Sequence, residues 1–319
     1  MAGKRTRVKF IAAEIESTYG SAATIGATDV IVPIECTITP LQADVVEREL
    51  VKDFYSANQQ LLANLRVVVN ITVEATGSGD KDTAPRYGRL FQACGLEETV
   101  NSGTSVVYKP SSDNHKSVTL HYIIDGILHQ VTGARGTFTF EAEVGSIPRF
   151  VFEFTGIYND VSAQAIPTNT PGDQASALVF KNDNVTNTNF IDSGVLFQSI
   201  NIDCGNQVEY RELVGSSGKE VLITDRGVLG SVNIQLPELS QVDYFAKAKT
   251  DGTALGAFSF THGTAEGNKV AFSSTKVDIG QPNYGDLQGI AMLELPYTLI
   301  ASSASGSNTV TDEFELTFS

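Results

Sequence analysis

Several residue types that carry chemistry or cross-links are scarce in this sequence. It has no tryptophan, three cysteines and four histidines among 319 residues. Cys36, Cys94 and Cys204 are widely spaced and odd in number, which argues against a disulfide framework and favours folding in a reducing compartment. No apolar run is long enough to cross a bilayer, so we expect no membrane partner. The N-terminus is basic, but no apolar segment follows it, and we expect no signal peptide.

Positive charge is scarce as well. The chain has 22 Lys and Arg against 37 Asp and Glu, a formal net charge of −15. This balance argues against a protein that wraps nucleic acid irrespective of sequence, because such binding needs clustered basic side chains against phosphate. An acidic surface can still border DNA that slides past without adhering. The hydrophobic share of 41 % is enough for a packed core, and the length favours two domains.

Alternation of apolar and polar residues with period two dominates the chain and predicts a mainly β fold. Residues 65–74, 136–143 and 150–158 are the clearest strands. Two short helices interrupt them. The first is predicted to begin at Thr83 as N-cap and to end before Gly95, and the second to run from Ser240 to Lys249.

Two motifs recur at one offset and indicate an internal repeat. Arg-Glu-Leu-Val occurs at 48–51 and at 211–214, and Val-Asn-Ile occurs at 69–71 and at 232–234. Both pairs are separated by 163 residues. The alternative is that unrelated β-domains share Val-rich tripeptides by chance. The repeat predicts two copies of one β unit per chain.

The repeat and the composition together suggest a domain division. We expect a first unit at residues 1–160, a linker rich in Asn, Thr, Pro and Gly at 161–189, and a second unit at 190–319. A weaker match equates Cys36 with Cys204, at an offset of 168. Each unit is expected to be mainly β, with one short helix.

The segment 42–64 is a long excursion between two predicted strands. It mixes charged residues with apolar ones. Long segments in compact β-domains are usually functional or disordered, and the amphipathic content favours docking against a partner. The alternative is two strands that extend beyond the body and end in a surface tip.

No arrangement of residues supports catalysis. The run Gly215–Lys219 has neither the spacing of a nucleophile elbow nor the hydroxyl residue that follows Lys in a phosphate loop. His121 and His129 flank a predicted Asp125-Gly126 hairpin, but no third metal ligand lies nearby in sequence. We therefore expect no catalytic, metal or cofactor residues, and no enzyme.

Several motifs of the first half, in this order, resemble siphophage-type tail tube (major tail) proteins. They are Glu14-Ile15-Glu16-Ser17-Thr18-Tyr19-Gly20, Ala84-Pro85-Arg86-Tyr87-Gly88-Arg89-Leu90, Ala93-Cys94-Gly95-Leu96, Asp125-Gly126, Gly133-Ala134-Arg135-Gly136-Thr137 and Phe152-Glu153-Phe154-Thr155-Gly156-Ile157-Tyr158. The resemblance covers residues 7–158 and reaches the second half only through the repeat.

The resemblance implies two tandem β-sandwich or barrel domains, each with one short flanking helix. It also implies a virion structural protein that is assembled in the host bacterial cytoplasm. Such chains form rings that stack into a hollow tube, whose continuous inner barrel conducts DNA during ejection. The implied partners are further copies of the chain, a tape measure protein inside, terminator and distal tail proteins at the ends, and DNA in transient non-specific passage. Family rings usually hold six barrel units, so two units per chain imply three chains in a pseudo-sixfold ring.

The resemblance also suggests two sets of residues. In the family a long loop reaches the neighbouring ring, which here corresponds to 42–64 and its counterpart in the second half. The expected contacts are Val45, Val46, Glu47, Arg48, Glu49, Leu50, Lys52, Phe54, Tyr55, Arg211, Glu212 and Leu213. The expected lumen residues are Glu74, Glu141, Glu143, Asn233, Gln235 and Glu294. Carboxylates there would repel phosphates and let DNA slide.

An adhesive or carbohydrate-binding β-protein of two modules is the alternative from a different class. The lack of tryptophan counts against it, because sugar-binding surfaces favour exposed aromatic rings. Electron microscopy of concentrated protein separates the two hypotheses: rings or tubes favour the tail tube, and monomers favour the adhesive module.

Overall fold

Most of the chain lies in β-strands, as the alternation predicts. The computed structural model describes residues 4–168, 174–215, 218–250, 256–305 and 310–319. The strands of the first half are β1 (Lys9–Ile15), β2 (Val30–Ile31), β3 (Glu35–Glu47), β4 (Gln60–Glu74), β5 (Leu96–Asn101), β6 (Ser105–Pro110), β7 (Val118–Ile124), β8 (Ile127–Glu143), β9 (Arg149–Tyr158) and β10 (Ser162–Ala163).

The second half continues the β pattern. Its strands are β11 (Val185–Phe190), β12 (Asp192–Ser193), β13 (Phe197–Asp203), β14 (Asn206–Glu212), β15 (Lys219–Arg226), β16 (Leu229–Gln235), β17 (Gly256–His262), β18 (Val270–Ile279), β19 (Asn283–Leu287), β20 (Ile290–Leu299), β21 (Ala304–Ser305), β22 (Val310–Thr311) and β23 (Glu315–Phe318). The helices are α1 (Gly88–Ala93), α2 (Tyr244–Ala248) and a 3-10 turn at Asn182–Asn184.

Strands from both halves form one continuous antiparallel layer, which we call the long sheet. Its order is β3, β4, β9, β8, β13, β16 and β20, with β19 and the last residues of β18 paired to the far side of β20. The two halves join where β8 pairs with β13, with Glu141 opposite Asn201. This junction is long-range and antiparallel.

The remaining strands cover one face of the long sheet. β2, β1, β7 and the first part of β8 pair in that order. A second run follows the order β5, β6, β23, β18, β17 and β11. The C-terminal strand β23 thus pairs with β6 of the first half and with β18 of the second half.

Aromatic side chains fill the space between these layers. Phe91 of α1 is fully buried, with ring centroids of Phe138, Phe150 and Phe152 between 5.0 and 5.2 Å away. Alternate residues of β8 and β9 supply these rings, which is why the strands read as Phe-x-Phe. Burial of one such side chain contributes about 1.5–3 kcal/mol, and the core extends without interruption across both halves.

Both predicted helices exist but begin later than expected. The first begins at Gly88 and not at Thr83, because the Tyr87 phenol is buried and donates to the Thr76 carbonyl at 2.6 Å, which holds the chain in a turn before the helix. Its end is as predicted, with Gly95 at φ +78°. The second begins at Tyr244 and not at Ser240, with Asp243 as N-cap.

The prediction of a mainly β fold with two short helices is confirmed. Two separate domains are not evident among the described residues, since the halves share the long sheet and the core. Residues 185–189 of the expected linker lie in strand β11, which pairs with β17. Residues 169–173 of that linker lie outside the described residues.

Candidate assembly surfaces

The long sheet repeats one register in its two halves. Asn70 of β4 lies between Thr37 of β3 and Glu153 of β9. Asn233 of β16 lies between Ser199 of β13 and Glu294 of β20. The repeated Val-Asn-Ile motif therefore occupies the same position in two four-stranded arrangements.

The proposed equivalence of Cys36 and Cys204 is wrong in this register. Cys36 lies opposite Ile71. The counterpart of Ile71 is Ile234, which lies opposite Phe197 at the start of β13. Cys204 follows the end of β13, so the two cysteines occupy opposite ends of corresponding strands. A bulge between Phe197 and Ser199 adds to the mismatch.

The face of the long sheet that points away from the aromatic core is largely polar, and we call it the polar face. Because successive side chains of a strand point to opposite faces, the residues next to each core residue point to this side. All six expected lumen residues lie on it: Glu74, Glu141, Glu143, Asn233, Gln235 and Glu294. That this face borders a lumen stays a prediction.

The polar face also carries acidic and amide residues that were not predicted to line a lumen. Glu153 projects from β9 between core residues Phe152 and Phe154, and Asp203 and Asn201 project from β13. The sequence does contain the pattern that predicts this, because the Phe-x-Phe alternation in β9 places Glu153 on the polar face. Val151 is an apolar exception on the same face.

The polar face is acidic. Arg149 forms an ion pair with Glu141 at 2.7 Å, and Arg66 pairs with Asp44 at 3.2 Å. Exposed pairs of this kind add little stability, yet they neutralise the basic groups locally. Glu74 and Glu294 have no ion pair within 4 Å in the described part of the chain, so the face retains negative charge.

The segment 42–64 is a long hairpin, which we call the first hairpin. β3 and β4 extend beyond their neighbours as far as Glu47 and Gln60, and residues 48–59 form the tip. This geometry agrees with the alternative of extended strands with a surface tip. Hydrogen bonds from Asn64 and Arg66 lower the pKa of the Asp44 carboxyl and tie the two arms together.

Apolar side chains are concentrated at the exposed end of the first hairpin. Val51 and Tyr55 are fully exposed, and Phe54 is 64 % exposed. The Lys52 ammonium lies 5.7 Å from the Phe54 ring centroid. The remaining expected contact residues, Val45, Val46, Glu47, Arg48, Glu49 and Leu50, are also exposed. A cluster of this kind marks an interaction surface.

The second hairpin, formed by β14 and β15, carries Arg211, Glu212 and Leu213 at its exposed end. Arg211 pairs with Glu220 across the two strands at 2.8 Å. Residues 216–217 of its tip lie outside the described residues. This hairpin is shorter than the first and packs against β8, β9 and β4.

Both hairpins leave the long sheet at the same end. β3 and β13 are four strands apart in an antiparallel sheet, so they run in the same direction, and each continues into its hairpin. The opposite end carries the turn between β8 and β9 and the Gln288-Gly289 turn. The molecule therefore has two distinct ends, as stacking in one direction requires.

Sites for metal chemistry are not apparent. The described residues contain no group of three or more His, Cys, Asp or Glu that could hold a metal ion. Likewise, none of the helices in this part of the chain is long and apolar enough to span a membrane. His121 bonds Gln130 at 3.0 Å, and the pKa of His121 and of His129 is lowered by burial.

Comparison with known families decides between the two hypotheses. A model of the phage tail tube protein family matches residues 3–299. The chain belongs to the phage tail tube protein family. No curated protein sequence matches it.

A tail tube protein is a non-enzymatic structural protein of the virion tail that assembles with itself and with other tail proteins. The resemblance in the first half is confirmed, and the family match extends through most of the second half. The adhesive alternative is therefore set aside.

Proposed function

We propose that three copies of this chain close one ring of the tail tube, and that the two halves arose by duplication of one tube unit. The repeated register of Asn70 with Glu153 and Asn233 with Glu294 carries this proposal. Each chain supplies two similar four-stranded arrangements, so three chains supply the six units that family rings usually hold. The pairing of β8 with β13 joins the two arrangements within one chain, which supports one chain taking the place of two subunits.

The polar face lines the conduit in this proposal. Its carboxylates, among them Glu74, Glu153 and Glu294, repel DNA phosphates over about one Debye length, roughly 8–10 Å at physiological salt. Few free basic groups remain for lasting ion pairs, which allows the genome to slide during ejection. The same surface contacts the tape measure protein before ejection, and terminator and distal tail proteins cap the tube ends.

The first hairpin contacts the neighbouring ring. Its length, its exposed Phe54 and Tyr55, and its position at one end of the long sheet support this role. The apolar side chains lose water when they dock, which contributes about 25 cal/mol per Å² of buried apolar area. The tip of the second hairpin contributes Arg211, Glu212 and Leu213 from the same end.

Counting the chains in a ring tests the proposal. The purified chain should form rings or tubes in electron micrographs, and a ring-resolved reconstruction should show threefold symmetry with pseudo-sixfold density. Native mass spectrometry of isolated rings should give three times 34.1 kDa. Six chains in one ring would overturn the stoichiometry, and a chain that stays monomeric at high concentration would overturn ring assembly.

A further inference from the structure

The long sheet ends in two strands that have no partner on their outer side within the described residues. β3 pairs only with β4, and β19 pairs only with β20. Exposed sheet edges of this kind pair readily with another chain unless something covers them. The β19 edge also carries exposed apolar side chains, with Tyr284 at 71 % and Leu287 at 38 % exposure.

The turn after β19 determines which of its amides face outward. Gln288 and Gly289 both have positive φ, +54° and +86°, as in a two-residue type I′ hairpin. Such a hairpin closes on a hydrogen-bonded pair, here Leu287 with Ile290. Pairs alternate along antiparallel strands, so the N–H and C=O groups of Tyr284 and Asp286 point away from β20.

The two edge strands, β19 and β3, correspond by the internal repeat to β8 and β13, which pair with each other inside the chain. Asn283 lies opposite Glu294 as Thr137 lies opposite Glu153, so β19 corresponds to the end of β8. Ile38 lies opposite Val69 as Ile200 lies opposite Val232, so β3 corresponds to β13. The internal junction of β8 with β13 is therefore a template for a junction between chains.

We propose that β19 of one chain pairs antiparallel with β3 of the next chain in the register that places Leu287 opposite Thr39. This inference rests on the proposed ring and names the seam and its register. Glu141 opposite Asn201 is the internal pair from which the register follows. The contact is head-to-tail, so it closes into a ring when the rotation per chain allows.

The backbone groups of the two edges suit this seam except at one proline. The Lys9 ammonium donates to the Cys36 carbonyl of β3 at 3.0 Å. In the proposed register Cys36 faces Ile290, beyond the end of β19, so this contact lies outside the seam. In this register Asp286 faces Pro40, which accepts through its carbonyl but lacks an N–H. The seam therefore has one hydrogen bond fewer at Pro40 than a regular antiparallel pair.

Cysteine cross-linking tests the register. Leu287 and Thr39 form a non-hydrogen-bonded pair in the proposed seam, with Cα atoms about 4.5 Å apart, which suits a disulfide. Assembled Leu287→Cys/Thr39→Cys rings should give covalent three-chain species on oxidation. The control Leu287→Cys/Glu35→Cys is four residues out of register, about 13 Å, and should stay uncross-linked. The native cysteines are buried.

A backbone variant tests the seam independently. Asp286→Pro removes an outward amide and should abolish ring formation while the monomer melts as a folded protein, whereas Asp286→Ala should assemble normally. If the two cysteine variants form rings but only the Glu35 variant cross-links, or neither does, the register is wrong. Normal rings from Asp286→Pro would overturn the seam. Absence of rings from the wild-type chain would instead overturn the proposed function, and this inference with it.

Discussion

Tyr19 and Arg135 form hydrogen bonds with the two backbone groups of one residue, Val221 of β15. The Tyr19 hydroxyl accepts from the Val221 N–H at 2.5 Å, and the Arg135 guanidinium donates to the Val221 carbonyl at 2.7 Å. The guanidinium also lies 4.7 Å from the Tyr19 ring centroid. Both side chains belong to the first half, so they fix the second hairpin to it. Asn206 adds a buried link by donating to the Cys94 carbonyl at 2.7 Å.

Tyr19→Phe should lower the free energy of unfolding by about 1–3 kcal/mol. The phenylalanine keeps the ring beside Arg135 but leaves the Val221 N–H without its acceptor in a buried position. Urea denaturation measures the loss, and hydrogen exchange should show faster exchange at the Val221 amide.

Tyr210→Phe is the matched control for that substitution. Its hydroxyl bonds only the exposed Glu212 carboxylate at 3.1 Å, so we expect a change below about 0.5 kcal/mol. Equal losses from the two variants would show that Tyr19 does not fix the hairpin.

Much of the polar face could be predicted from local sequence, whereas the connections between halves could not. Alternation in β9 and β16 assigns residues to faces because neighbouring side chains point to opposite sides of a strand. The pairing of β8 with β13 and of β23 with β6 joins residues far apart in sequence, and no local pattern encodes it. The late start of α1 depends on the tertiary bond from Tyr87 to Thr76.

Acid should destabilise the fold between pH 7 and pH 5. Burial lowers the pKa of His262, which is 2 % exposed beside Phe180 in the core. Its pKa in the unfolded chain is higher, so the unfolded state binds the proton first. The stabilisation is present above about pH 6.5 and is lost as the pH falls toward the lowered folded pKa. Melting temperature should therefore fall with pH across this window.

His262→Phe should reduce that pH dependence. Phenylalanine fills the site and does not titrate, so the melting temperature should fall less between pH 7 and pH 5 than in the wild type. His129→Phe is a control at a half-buried ring, whose pKa burial also lowers. If the melting temperature of the His262 variant falls with pH as steeply as that of the wild type, other groups cause the acid sensitivity.

The first hairpin tip should be needed for stacking but not for folding. Phe54→Ser with Tyr55→Ser removes two exposed rings that make no contact with the core, so the monomer should melt within about 0.5 kcal/mol of the wild type. Tubes should shorten to single rings or short stacks in electron micrographs. Val100→Ser, at an exposed apolar position of β5, is the control and should leave tube length unchanged. Full-length tubes from the double variant would contradict a role of this tip between rings.

Charge reversal on the polar face should slow DNA ejection. Glu74→Lys with Glu294→Lys places two ammonium groups per chain on the face that carries Glu153 and Asn233. Each forms ion pairs with passing phosphates and releases counterions, so the delay should weaken as salt rises. Fluorescent dye uptake by ejected DNA measures the rate. Asp80→Lys with Asp183→Lys makes the same charge change at exposed positions outside the long sheet. Normal ejection from the polar-face variant, with tubes intact, would show that the charge of this face does not govern DNA passage.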